Sequence, residues 1–314
     1  MIDNKKLISI IVPAYNEEDS VFELTDRLQK VFETNSKYDF ETIMIENGSI
    51  DNTYIRLIEI NQQDPRFKII QLSRNFRMDG GLTAGLNYAS GDAAVTMAAD
   101  LQDPPELITD FIKKWEEGYD CVYQVVTKRN GTGLIRKLNS QIFYWVANKL
   151  TDGMIPRNVS DFRLVDKKVY LVINSMQERN RFVRGLFAWA GFKTIGIERE
   201  RTPRYAGKSN AHTLKVLELA FKGIFAHSYI PLKFILLLGS TLSVLSFLFL
   251  ITLFVKAMFW GVPFPGFGTL LGVILLLFGF LFTMLGVIGE YIGLIYEEVK
   301  QRPNYVVKEK IGLK

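Results

Sequence analysis

Two uncharged apolar stretches, Phe234–Val255 and Thr269–Gly289, restrict this 314-residue chain more than any other feature of it. Each is roughly 20 residues long, enough for a helix rising about 1.5 Å per residue to cross a ~30 Å hydrocarbon core. The pattern predicts two transmembrane helices within residues 233–295. Charge sets their direction. Lys208, Lys215, Lys222 and Lys233 precede the first stretch, and Lys300, Arg302, Lys308, Lys310 and Lys314 follow the second. The connection holds only Lys256 before Trp260-Gly261-Val262-Pro263-Phe264-Pro265-Gly266. By the positive-inside rule both termini, including a tail over 296–314, face the cytosol of a multi-pass protein of the cell (inner or plasma) membrane. Residues 211–232 read as a juxtamembrane amphipathic segment, since Thr213–Ser228 alternates Lys215, Glu218 and Lys222 with Leu214, Leu217, Phe221 and Phe225. It suits the membrane surface, with packing on the protein as the alternative.

Residues 1–210 have a different character. Apolar, β-rich runs at Leu7–Val12, Phe40–Ile45, Phe67–Leu72, Ala93–Ala98 and Cys121–Val126 alternate with helical patterns near 17–32, 53–61, 80–89 and 107–117. Alternation of this kind predicts an α/β domain with a mostly parallel sheet and helices on both faces. Asn158–Arg163 reads as a polar segment, and Leu134–Leu150 as a helix. No cleavable signal peptide is read at the N-terminus, because Leu7–Val12 is too short for a signal core. The lone Cys121 opens an apolar strand and reads as a buried thiol. A net charge of +5 without a dense Lys/Arg stripe argues for anionic headgroups rather than nucleic acid.

Ligands of such sheets bind beyond the C-terminal ends of the strands. That rim carries Pro13-Ala14-Tyr15-Asn16-Glu17, Glu46-Asn47-Gly48-Ser49-Ile50-Asp51, Ser73-Arg74-Asn75 and Asp100-Leu101-Gln102-Asp103-Pro104-Pro105-Glu106. A dinucleotide oxidoreductase would need Gly-x-Gly-x-x-Gly after the first strand, where Pro13-Ala14-Tyr15-Asn16-Glu17 stands instead. Further along come Ser160-Asp161-Phe162-Arg163-Leu164, Arg181-Phe182-Val183-Arg184-Gly185, Arg204-Tyr205-Ala206-Gly207-Lys208-Ser209 and Gly286-Val287-Ile288-Gly289-Glu290-Tyr291.

Taken in order, and with the apolar hairpin behind them, these motifs resemble the family-2 glycosyltransferases of GT-A fold. The closer resemblance is to the polyprenyl-phosphate branch, which includes bacterial undecaprenyl-phosphate glucosyltransferases and dolichol-phosphate-mannose synthases. The resemblance implies a Rossmann-like GT-A domain over 1–210. It also implies inverting transfer of one sugar, glucose first, from a UDP-sugar to a polyprenyl phosphate at the cytosolic face, for modification of cell-envelope glycans. N-acetylglucosamine, galactose, aminoarabinose and mannose remain alternative sugars, and a catalytically weak sugar-nucleotide binder is the alternative class. A processive synthase would carry more spans and a Gln-x-x-Arg-Trp motif, neither of which is found.

The family's nucleotide-sugar pocket maps onto Pro13, Tyr15, Glu17, Glu46, Asn47, Asp51 and Asp100. Two departures stand out. Glu46 and Asn47 occupy positions where two aspartates are usual, and the Asp-x-Asp metal motif appears as Ala98-Ala99-Asp100. The resemblance still implies Mg²⁺ or Mn²⁺, held by Asp100, the carbonyl of Gln102 and a diphosphate, because such ions take many ligands from water and phosphate.

Asp161 matches the catalytic aspartate, with Arg163 two residues on to offset its charge beside an anionic acceptor. If the lipid phosphate has a second pKa near ~6, as phosphoserine does, it is largely dianionic at pH 7 and needs little general base. Asp161 then orients acceptor or arginine as much as it takes a proton. Arg136, Lys137, Arg204 and Ser209 are candidate phosphate clamps, arginine's fork being suited to that anion. Lys128 and Arg129 lie where the chain could close over the donor. Gly272, Gly279, Gly286, Gly289 and Gly293 allow close helix packing and a homo-oligomer. Two spans anchor but do not transport, so a separate flippase and a downstream glycosyltransferase are expected partners.

Overall fold

The computed structural model describes residues 5–127, 159–200, 230–260 and 267–313. The chain divides into two compact units, Met1–Leu217 with Gln301–Lys314, and Glu218–Lys300. In the first, strands β1 (Leu7–Ala14), β2 (Asp39–Glu46), β3 (Phe67–Leu72) and β4 (Ala93–Thr96) alternate with helices α1 (Val21–Thr34), α2 (Thr53–Gln63) and α3 (Arg77–Tyr88). Then come α4 (Leu107–Glu116), β5 (Cys121–Val126), β6 (Val159–Asp166), α5 (Lys167–Ser175), α6 (Val183–Trp189) and β7 (Thr194–Arg199). The eight-stranded sheet runs β7-β5-β6-β4-β1-β2-β3-β8, where β8 is Val307–Ile311.

The four central strands are parallel. Their apolar runs are continuous because both faces are covered. Alternation along β1 sends Ile8, Ile10 and Val12 to one core, shared with α1 and α4. Ile11 goes to the other, shared with α3, α5 and α6. Helix α3 lies unusually close to the sheet. A Cβ added at Gly85 would meet Ile11 Cγ2 at 2.2 Å, and one at Gly81 would meet Pro13 Cβ at 2.9 Å. Only glycine permits that approach.

Two elements differ from expectation. The segment Asn158–Arg163, read as polar, falls from Val159 onward in β6, which pairs antiparallel with both β4 and β5. The sheet is therefore mixed, although its central strands keep the expected parallel order. The presumed tail 296–314 contains β8, which pairs antiparallel with β3 and closes that end of the sheet. Tyr305, just ahead of β8, accepts a hydrogen bond from Asn87 Nδ2 at 3.0 Å, and Asn304 Nδ2 donates to Glu178 O at 3.0 Å.

The second unit contains α7 (Ile230–Trp260) and α8 (Phe267–Lys300), each longer than the apolar stretch it includes. Windows Leu232–Phe249 and Leu276–Lys300 are long and apolar enough to cross a membrane. Neither is buried inside the protein, unlike the core helix of a soluble domain, and neither lies near the N-terminus as a signal sequence would. The predicted helices over 134–150 and 213–228 lie outside the described residues.

Candidate active site

The rim is built by cross-linking the ends of β1 and β2. Asn16 N donates to Ser49 Oγ at 3.1 Å, Ile50 N to Asn16 Oδ1 at 2.9 Å, and Glu17 N to Thr53 Oγ1 at 2.8 Å. Asp51 caps the start of α2, its Oδ1 accepting from Thr53 N at 3.0 Å and Thr53 Oγ1 at 2.6 Å. Glu17 accepts from Ser20 Oγ at 2.7 Å and so ties the start of α1. Glu46 accepts the N–H of Ser49 inside its own turn. Pro13 is buried and Tyr15 half-exposed at this edge. The carboxylates thus tie together the wall of the rim, where Ile50 is 87% exposed.

Asn47 behaves differently from expectation. Its Oδ1 accepts from Phe76 N and its Nδ2 donates to Arg77 O, both at 2.9 Å. The amide that was to face a ligand instead clasps the connection from β3 into α3. Asparagine fits there because one side chain must both donate and accept, which aspartate cannot do when ionised.

Asp100 is buried at the end of β4, and its Oδ1 accepts from Gln102 N at 3.2 Å. Leu101 between them has φ 56°, and Asn16 and Arg77 on neighbouring connections have φ 55° and 63°. Left-handed backbone at non-glycine residues costs energy and gathers at functional sites. Among the described residues no group of three or more His, Cys, Asp or Glu is placed to hold a metal. Asp100 with Gln102 fits a hard divalent ion only in the mode where substrate phosphate and water complete the octahedron.

Strand β6, running opposite to β4, returns Asp161 to the same edge. Thr96 Oγ1 donates to Asp161 O at 2.6 Å, and Ser160 Oγ donates to Asp103 Oδ2 at 2.8 Å, so β6 is pinned to β4 and its turn. The Asp161 carboxylate receives both prongs of Arg184, Nε at 2.9 Å and Nη2 at 2.7 Å, with each side chain 27% exposed. Arg184 belongs to α6. Arg163, expected to offset Asp161, is 3% exposed, lies 4.7 Å from the Phe187 ring centroid and donates to Ser160 O at 3.1 Å. Burial lowers its pKa, and the nearby charge of Asp161 works in the opposite direction without a hydrogen bond between the two side chains. The arginine of Asp161 is thus Arg184, whose Arg-Phe-Val-Arg-Gly run the sequence displayed without a spacing that joins it to Asp161. Arg136, Lys137, Arg204 and Ser209, with Lys128 and Arg129, lie outside the described residues.

The model of the Glycosyl transferase family 2 matches residues 9–173. An uncharacterized glycosyltransferase of Synechocystis is 43% identical, over 98% of this chain and 96% of its own length. A bactoprenol glucosyl transferase of Shigella phage SfII is 36% identical over 96% of this chain and 97% of its own. A prophage bactoprenol glucosyl transferase homolog of Escherichia coli is 35% identical over 96% and 98%. The family model and the near full-length relatives together define a glycosyltransferase. The chain belongs to glycosyltransferase family 2.

Proposed function

We propose that this enzyme transfers one glucosyl group from UDP-glucose to undecaprenyl phosphate at the cytosolic face of the membrane, with inversion at the anomeric carbon. The observation that carries the reading is Asp161, fixed at the rim by Thr96 and Arg184, in a chain that also carries two lipid-length apolar helices. The near full-length similarity to bactoprenol glucosyl transferases supports glucose and a polyprenyl acceptor.

In this reaction a phosphate oxygen of the lipid attacks C1 of glucose while the C1–oxygen bond to UDP breaks, and UDP leaves with the bonding electrons. A dianionic acceptor brings no proton to remove; a monoanionic one gives its proton to Asp161. The Arg184 fork keeps the Asp161 carboxylate aimed and partly neutralised, which lowers repulsion of the incoming phosphate. The wall formed by Pro13, Tyr15, Glu17, Glu46 and Asp51 receives the uridine. When bound beside Asp100 and Gln102, Mg²⁺ or Mn²⁺ supplies charge neutralisation of the departing diphosphate.

The test is transfer of labelled glucose by the full-length protein in vesicles containing undecaprenyl phosphate and Mg²⁺, alongside a panel of other sugar nucleotides. Acid-labile glucolipid from UDP-glucose is the expected product. Preference for another donor corrects the sugar alone, whereas donor binding with no lipid product from any donor overturns the reading in favour of a binding protein.

A further inference from the structure

Asp79 has no role in the reaction as described, yet it is joined to the site through one residue. It stands in the first turn of α3, which the close approaches at Gly81 and Gly85 hold against the sheet. Its Oδ1 accepts the N–H of Val183, the first residue of α6, at 2.9 Å. The next residue is Arg184, whose two prongs grip Asp161. Helix α6 runs only from Val183 to Trp189 and has no side-chain cap of its own at Phe182. Such a short helix is not stable by itself and takes its position from tertiary contacts.

Among the described residues, the charged groups facing Asp79 are Asp161 of β6, Arg184 of α6 and Arg181 just ahead of α6. Arg181 is tied elsewhere, its Nη2 donating to Ile173 O at 2.6 Å at the end of α5. Arg163 of β6 is occupied by Phe187 and Ser160. Two carboxylates and two guanidiniums therefore share one corner of the rim. Burial pushes the Asp79 carboxyl up to about 6; the charge of Asp161 adds to the shift, and the Val183 N–H, Arg184 and Arg181 oppose it.

We infer that Asp79 is a positioning residue for glycosyl transfer: it pins the amide of Val183 so that Arg184 meets Asp161 with both prongs, and its own charge sets how strongly this corner attracts an anionic acceptor. The inference rests on the reading of Asp161 as the acceptor-side residue. Either protonation state of Asp79 accepts the Val183 N–H. Only the ionised state repels a phosphate, so the acceptor binds more weakly as the pH rises through the titration of Asp79.

The experiment compares full-length wild type, Asp79→Asn and Asp79→Ala in vesicles with undecaprenyl phosphate and UDP-glucose from pH 5 to 8, together with their thermal unfolding. Asparagine keeps an acceptor for Val183 but carries no charge. The ratio of acceptor KM, wild type over D79N, is expected near one at pH 5 and several-fold larger at pH 8; taking the ratio cancels titration of the lipid phosphate. D79A loses the acceptor and is expected to show a kcat about tenfold below that of D79N at every pH, as misplacement of a site group commonly costs.

A KM ratio that stays constant with pH overturns the inference, as does a D79A kcat equal to that of D79N. If D79A does not fold, the D79N ratio decides alone. Failure of the parent reading shows separately, as no glucolipid from wild type. Unfolding then still tests Asp79: its raised pKa means that ionised Asp79 destabilises the fold, so D79N gains in Tm over wild type as pH rises through about 6. A Tm difference that does not change with pH overturns the inference in that case.

Discussion

At the sheet edge remote from the site, Glu41 of β2 is 3% exposed and fully engaged. It accepts from the Ser9 hydroxyl at 2.5 Å, from Ser90 N and Oγ at 3.0 and 2.7 Å, and from Lys68 Nζ at 2.6 Å. Burial pushes its pKa up, but Lys68 and the two serines outweigh that and hold the carboxyl below its usual range. At the rim, Asp79 accepts one backbone N–H and faces Asp161, and there burial prevails, to about 6. The same kind of group is saturated with partners at one edge and left short of them at the other. Backbone strain divides in the same direction. Among the described residues, three of the four non-glycine positions with positive φ, Asn16, Arg77 and Leu101, belong to rim connections. A saturated edge stabilises the sheet, whereas an undersaturated one keeps charge and donors available to a substrate.

The largest expected effect of breaking this division comes from Asp161→Asn. Transfer should fall by about 10²–10⁴-fold, the range for loss of a positioned acid–base group. The pH optimum should move little if orientation of a dianionic acceptor is the main task. Initial rates from pH 5 to 8 check this, and a strongly displaced profile would show Asp161 to be a true base. Arg184→Lys comes next. It keeps the charge but not the fork, so kcat should drop by roughly tenfold. Arg184→Ala removes the fork from Asp161 and should also cost about 1 kcal/mol of stability, a figure kept small because both side chains are 27% exposed.

How far the sequence reveals these two edges depends on range. The strands β1 to β5 and helices α1 to α4 were legible because buried parallel strands read as apolar runs and their helices as amphipathic repeats. The rim followed from topology alone. Strand β6 was not legible, because Ser160, Asp161 and Arg163 make it look polar. The sheet buries Ser160 and Arg163 and half-buries Asp161 despite their polarity, and the alternation of Phe162 and Leu164 was the available signal. Spacing brought Arg163 and Asp161 to one face, but it could not show that Phe187 would claim the guanidinium while Arg184 arrived from another helix. Asn47 read as a ligand group because motif position does not reveal which backbone amides will fold over it. Strand β8 is short and charged, as edge strands often are, and its partner β3 is distant in sequence.

The third expected effect tests the saturated edge. Glu41→Gln keeps the shape but leaves Lys68 facing a neutral amide, with an expected loss of about 2–3 kcal/mol in unfolding of the full-length protein. Transfer per folded molecule should not change, because the network lies at the opposite edge from Asp161. The sign with pH follows from the depressed pKa: the contribution of Glu41 is present above the usual glutamate pKa of ~4.3 and is lost as pH falls through the folded value. Wild type should therefore lose stability in acid where E41Q does not, the reverse of the behaviour expected for Asp79.

The smallest effect is expected from Tyr305→Phe, which asks whether the C-terminal segment belongs with the saturated edge or with the rim. Tyr305 accepts from Asn87 at the end of α3, while Asn304 holds Glu178 on the connection that leads to Arg181 and Arg184. Ser73, where β3 meets the rim, donates its N–H to Val306 O at 2.9 Å. The segment thus touches α3, the connection that leads to Arg184 and the end of β3. Removing the Tyr305 hydroxyl should cost about 0.5–1 kcal/mol, the net value of one hydrogen bond. If the segment serves only the sheet, kcat stays at the wild-type value. If it also steadies the connection carrying Arg184, kcat falls further than that stability loss accounts for, and Asn304→Ala, which frees Glu178 directly, lowers it more than Y305F does.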